Sequence, residues 1–193
     1  MDYEKLAAVL ANRERRVVPR KGLAPSGVTV PLFDRDGATH VLFTLRTDKV
    51  KHHKGQISFP GGASEACDGS IVETATRETV EEVGIPPSCI HVLGQIDDTV
   101  TISDFHVTPV VARVDWPFPT KVCADEIARL IEVPLAALLA PGTPRIETWE
   151  QGDERIKMYF YDFGEYVIWG ATARILRQFL DIAGNCVVAG GKQ

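Results

Sequence analysis

Apolar positions change their period several times along the chain, and each change marks an element. Leu6, Val9 and Leu10 recur at helical spacing, which predicts a short helix over about residues 3–16. Ser26–Phe33 and His40–Leu45 are rich in β-formers and flank Asp34-Arg35-Asp36-Gly37. Two such runs around a turn signal predict a hairpin. Gln56–Phe59 reads as a strand fragment ending at Pro60-Gly61-Gly62. Residues 70–83 carry the clearest helical pattern, stopped by Gly84, Pro86 and Pro87. Strands are predicted near 90–96 and 106–114, and a partly helical stretch over Asp125–Leu139, interrupted at Pro134. Arg145–Trp149 and Ile156–Asp162 form a second predicted hairpin around Gln151-Gly152-Asp153. Val167–Trp169 then precedes a final helix from Ala171 to Ile182. Strands dominate, with helices between and after them. That is a mixed α/β domain and not a parallel βαβ series. Nothing reads as a linker, so residues 1–193 are expected to form a single domain.

Composition narrows the class of function. The chain is 45% hydrophobic and 24% charged, the balance of a globular protein able to bury its own core. No apolar run approaches the roughly 18 residues a membrane helix needs. The N-terminus lacks the features of a signal peptide, so a cytoplasmic location is expected. Cys67, Cys89, Cys123 and Cys186 are widely spaced and favour reduced thiols over disulfides or a zinc site. The net charge of −5 is uneven: residues 1–60 carry +5 and residues 61–193 carry −10. An acidic chain is a poor non-specific binder of nucleic acid. The basic stretch Lys49, Lys51, His52, His53, Lys54 suits a small anion or a solvated loop, and the two histidines read as loop residues.

The chemistry concentrates on one helix. With about 100° per residue and Glu78 set at 0°, Glu82 falls near 40° and Glu81 near −60°. Val72, Thr76, Thr79, Val80 and Val83 fall on the other side. Like charges at these spacings repel by a few tenths of a kcal/mol per pair. A divalent cation turns that repulsion into coordination, and Mg²⁺ favours carboxylate oxygens together with water and phosphate. A merely acidic solvated face is the competing reading of the three acids alone. Gly61-Gly62 just upstream allows close backbone approach to the same place.

These residues resemble the box of the Nudix hydrolase family, G-x5-E-x7-R-E-U-x-E-E-x-G-U, where U is a bulky aliphatic residue. Gly62, Arg77, Glu78, Glu81, Glu82, Gly84 and Ile85 occupy matching places. Thr79 stands where an aliphatic residue is usual. The interval from Gly62 to Arg77 is one residue too long, so the first box glutamate has no direct match and Asp68 is the nearest acid. Residues 42–62, LFTLRTDKVKHHKGQISFPGG, are similar to the signature of the coenzyme A pyrophosphatase branch. There Thr47 replaces Ser and Lys51 replaces Arg, which loses the bidentate fork. Phe105–Pro109 and Ile168–Leu176 are similar to that branch as well.

The resemblance implies a Nudix-type α/β/α sandwich with a mixed β-sheet. It implies metal-dependent hydrolysis of the diphosphate of coenzyme A or its thioesters, giving 3′,5′-ADP and 4′-phosphopantetheine. The alternatives are another nucleoside diphosphate derivative, such as ADP-ribose, a dinucleotide or a damaged nucleotide, and a non-catalytic nucleotide-binding regulator. By the same resemblance, Glu78, Glu82, Glu81 and the Gly61 carbonyl hold Mg²⁺ or Mn²⁺. Arg77 orients a carboxylate, and Glu78 is the first candidate for general base. Glu126, Asp97 and Asp98 are weaker candidates, better read as structural. Arg46, Lys51 and Gln56 are the expected substrate contacts. The implied partner is a small nucleotide, with a homodimer as one option and no role for nucleic acid or membrane.

Overall fold

A computed structural model describes residues 1–19, 22–49, 54–118, 121–151 and 154–187. Helix α1 (Tyr3–Asn12) precedes a long hairpin, β1 (Ala24–Arg35) and β2 (Ala38–Arg46). Short strands β3 (Ile57–Ser58) and β4 (Gly61–Ala63) lead to α2 (Ile71–Val83). Then come β5 (Ile90–Gln95), β6 (Thr99–Val100), β7 (Phe105–Val114) and β8 (Ile127–Pro134). A one-turn helix, α3 (Leu135–Leu138), follows directly. β9 (Arg145–Gln151), β10 (Glu154–Phe163) and β11 (Tyr166–Ile168) form a separate three-stranded sheet before α4 (Gly170–Ala183). Among the described residues no helix is long and apolar enough to cross a membrane.

The first hairpin turns on Asp36 and Gly37, both left-handed at φ 52° and 76°. Two such residues twist the chain in the sense the flanking strands require. β1 pairs with β2 only near this turn, from Arg35↔Ala38 to Leu32↔Val41. Beyond it the two strands part. Residues 57–63 fill the wedge, with β3 on β2 and β4 on β1. β7 runs parallel to β1 along its other edge, and β5 and β6 extend the sheet beyond β7. Every other pairing in the sheet is antiparallel, so the sheet is mixed, as expected.

Alternation along the strands feeds two cores. Val30, Leu32, Val41 and Phe43 point to one face, where they meet Leu6 and Leu10 of α1 and Leu176 and Phe179 of α4. Phe33 and Leu42 point to the other, against Val83 and Ile85 at the end of α2. Helices therefore cover both faces. α2 lies so close to β1 that a Cβ on Gly27 would stand 2.6 Å from the Ile71 carbonyl oxygen. Thr79 explains itself at this contact. Its hydroxyl meets Thr29 Oγ1 at 2.7 Å, and the Thr29 hydroxyl donates to the Ala75 carbonyl at 3.0 Å. Thr79→Val removes the two buried contacts of that hydroxyl, to Thr29 Oγ1 and to the Ala75 carbonyl, both at 2.7 Å, without orphaning a donor, because Thr29 keeps its carbonyl. Chemical denaturation is expected to show a loss of about 1 kcal/mol, with turnover unchanged.

Two expectations are corrected. Residues 127–134 are a strand, not a helix, because Ile127, Ile131 and Val133 alternate inward and pair with β2. Helix within the stretch is confined to Leu135–Leu138. α1 ends at Asn12 and does not reach residue 16. The chain after it runs extended because aspartates beside β6 hold it. Arg13 pairs with Asp97, Arg15 with Asp98 at 2.9 Å, and the Val18 amide donates to Asp98 at 3.0 Å.

Candidate active site

α2 is fixed at both ends. Ser70 Oγ accepts the Glu73 amide at 3.2 Å, while Glu73 accepts the Gly69 amide at 3.0 Å. This reciprocal cap satisfies amides that an uncapped helix leaves bare. At the other end Gly84 adopts φ 79°, and any Cβ there would lie 2.5 Å from the Lys121 nitrogen. The helix is thereby locked with its acidic side under β4.

Gly61 and Gly62 form the roof. Around them the Thr29 amide donates to Pro60 and the Ser64 amide to Pro25, both at 2.9 Å. That alternation leaves Gly61 at a non-hydrogen-bonded position of the β1–β4 ladder. Its amide faces away from β1 and donates to Glu82 Oε2 at 3.2 Å. Its carbonyl leaves the strand on the same side. Gly62 lies directly on Glu78, since a Cβ there would stand 2.5 Å from the Glu78 carboxylate. Two successive glycines thus receive two carboxylates one helical turn apart.

The charges around them are closely matched. Arg77 forms a fork to Asp68 through Nε at 2.9 Å and Nη2 at 3.1 Å. Its Nη1 reaches Glu78 at 2.9 Å and Glu81 at 3.2 Å. Asp68 also accepts the Glu65 amide and the Thr74 hydroxyl, both at 2.9 Å. Arg77, and after it the Glu65 amide, hold the Asp68 carboxyl well below the usual carboxylate range. The acid that is out of step in the sequence is therefore the anchor that aims Arg77. Arg46, at the end of β2, places Nη1 3.2 Å from Glu82 Oε1.

Burial separates the three helix acids. Glu82 is 3% exposed, and burial lifts its pKa to about 7 against the pull of the Gly61 amide and Arg46. Burial also raises Glu78, opposed by Arg77. The charge of Glu126, an exposed residue preceding β8, pushes both upward. Glu81 stays at the rim, its side chain 59% exposed. The site is a half-buried carboxylate pair at the opening of the wedge, with arginines on two sides.

The structure brings Glu78, Glu82, Gly61, Arg77 and Arg46 together and sets Glu81 at their edge. Gln56 is adjacent through its carbonyl, which accepts the Arg46 amide at 3.0 Å. Lys51, His52 and His53 lie outside the described residues. Asp97 and Asp98 are taken up by the residues 13–18 and stand beside β6, away from the carboxylate pair. Phe59 packs on Phe43 with ring centroids 4.8 Å apart, a core contact. Arg46 on Glu82 and Asp68 on Arg77 are pairings that no local pattern in the sequence specifies.

Among the described residues no three acid, histidine or cysteine side chains already form a closed metal cage. The donor chemistry nevertheless fits a hard divalent cation. Two repelling carboxylates share one half-buried place, a backbone carbonyl leaves β4 beside them, and Glu81 stands exposed at the rim.

Comparison with known proteins agrees with this arrangement. A family model described as the NUDIX domain matches residues 23–152. The uncharacterized Nudix hydrolase NudL of Escherichia coli O1:K1 / APEC is 34% identical over 155 residues, 79% of each chain. A MutT/nudix family protein from Enterococcus faecalis superposes with a TM-score of 0.54 at 16% identity, over 94% of this chain and 69% of that one. A C. elegans Ap4A hydrolase gives 0.50 at 14% identity, over 61% and 84%. The two structural likenesses are of fold. The domain match and the sequence relative go further: this chain belongs to the Nudix hydrolases, enzymes that cleave the pyrophosphate bond of nucleoside diphosphate derivatives.

Proposed function

We propose that the substrate is coenzyme A or one of its thioesters, split by water into 3′,5′-ADP and 4′-phosphopantetheine or its acyl form. One observation carries this reading. The stretch 42–62, which resembles the coenzyme A branch, is the stretch that delivers both Arg46 and the Gly61 amide onto Glu82. Signature and acidic helix thus serve one site.

Nudix hydrolases generally use divalent metals such as Mg²⁺ or Mn²⁺. In this chain Glu78 and Glu82 would hold the ion, with the Gly61 carbonyl beside them and Glu81 at the rim. Bound there, it supplies charge neutralisation at the diphosphate and a more acidic water. The chain's own groups do the rest. Arg77, fixed by Asp68, orients Glu78. Glu78 accepts the proton of the attacking water, its basicity raised by burial. Arg46 and Lys51 meet phosphate oxygens, and Gln56 donates to the substrate. Coenzyme A carries a 3′-phosphate besides its diphosphate, and the +5 charge of residues 1–60 suits that extra anion. Residues 1–193 act on this reading as one Nudix domain working in the cytoplasm.

Purified protein with Mg²⁺ or Mn²⁺ is expected to release 3′,5′-ADP from coenzyme A, identified by mass. Turnover of ADP-ribose or a dinucleotide, with no 3′,5′-ADP from coenzyme A or its thioesters, would reject the assignment.

A further inference from the structure

A second cavity, of about 440 Å³, lies on the far side of β7 from the wedge. Its wall includes Arg16, Val100, Tyr159, Arg174, Arg177 and Gln178. The register fixes its distance from the acidic site. Ala63 of β4, Ser26 of β1, Val107 of β7 and Thr99 of β6 form one row across the sheet. Three strand spacings, about 14 Å, therefore separate the two places.

The arginines here are not equally matched. Arg177 is held by Asp181 through Nε at 3.0 Å and Nη2 at 2.7 Å. Among the described residues neither Arg16 nor Arg174 has a carboxylate within 4.0 Å. Asp98, on the same wall, is spent on Arg15, the Val18 amide and the Thr108 hydroxyl. The contact Arg174 makes is neutral: Nη2 donates to the Val100 carbonyl at 2.6 Å. The residue is exposed overall, and the partial burial of its guanidinium depresses its pKa. Gln178 Oε1 is buried with no donor. An exposed arginine without a carboxylate partner, beside a buried amide oxygen without a donor, marks a place that a partner from outside the chain can complete.

We infer that this cavity is a binding site for an organic phosphate monoester, separate from the hydrolytic wedge. Arg174 has no carboxylate within 4.0 Å and Arg16 acts on Asp97 only at longer range, so both can turn to an anion, and guanidinium forks fit phosphate oxygens. The volume falls within the range of small-molecule sites and exceeds what phosphate alone fills. Tyr159 offers a ring face, and the Gln178 amide offers a polar contact, to the organic part. Arg174 sits within residues 168–176, where Thr172 supports β3 through the Ile57 carbonyl at 3.2 Å and Arg174 itself points to the groove.

The test reads binding alone, on the full chain in EDTA, with inorganic phosphate and adenosine 5′-monophosphate as probes. The monophosphate is expected to shift the Arg174 Nε–H and Gln178 side-chain amide resonances, and inorganic phosphate to shift the arginine alone. Calorimetry is expected to show at least about tenfold weaker monophosphate binding for Arg174→Ala and for Arg16→Ala, equivalent to 1.4 kcal/mol. Arg174→Lys, which keeps the charge but not the fork, is expected to fall between. Glu82→Gln is expected to bind as wild type does. Unchanged affinity in both alanine variants, or loss of binding in Glu82→Gln, would overturn the assignment.

Discussion

Glu82→Gln is expected to cut turnover by about a thousandfold, close to 4 kcal/mol of transition-state stabilisation, while the protein stays folded. Glutamine keeps the volume and still accepts the Gly61 amide, now 3.2 Å from Glu82. What it lacks is the anion that, with Glu78, gives a divalent cation its place. The same substitution has an opposite effect on stability. In metal-free protein burial lifts Glu82 from the ordinary carboxylate value of 4.5 to about 7. Between those values the folded state holds a proton that the unfolded chain has released. Stability therefore falls as pH rises through that window. Glutamine carries no such slope. Urea denaturation in EDTA is expected to show the variant more stable than wild type at pH 8, by up to roughly 3 kcal/mol, with the two converging near pH 4. A variant less stable at pH 8, or one with full turnover, would contradict the role given to Glu82. The buried acid thus trades stability for function.

Gly62→Ala is the second large effect. The added methyl would occupy the Glu78 carboxylate, whose atoms lie 2.5 to 2.6 Å from the position of the new Cβ. The backbone itself has no need of glycine, because a left-handed angle is found at Gly61 and not at Gly62. The methyl therefore acts by pushing Glu78 aside. A displacement on the order of 1 Å costs about a hundredfold in rate, near 2.7 kcal/mol. Metal affinity is expected to weaken in parallel, because one ligand has moved. Wild-type kcat in Gly62→Ala would show that Glu78 does not need the position seen here.

Much of this site was written in local sequence. The turn at Asp36-Gly37, the cap at Ser70 and the stop at Gly84 are short-range signals, and each stands where its residues ask. The spacing of Glu78 and Glu82 also put both under one roof. Other features depend on distant partners. Ile127–Glu132 contains good helix formers, and only pairing with β2 makes it a strand. The arc of three acids reads as one group on a wheel. In the fold α2 is seated so that Glu82 goes under β4 and Glu81 faces water. Asp68 is one residue out of step when counted back from Arg77, yet the loop before α2 still delivers it to Arg77.

The central claim is that Glu78 and Glu82 jointly bind one divalent cation beneath Gly61. Crystals grown with Mn²⁺ and a non-hydrolysable diphosphate analogue test it through the anomalous signal of the metal. The account predicts a peak bonded to oxygens of both Glu78 and Glu82 and to the diphosphate, with Arg46 turned from Glu82 toward a phosphate oxygen. Mn²⁺ bound elsewhere, with Glu78 still on Arg77 and Glu82 still on Arg46, would contradict it.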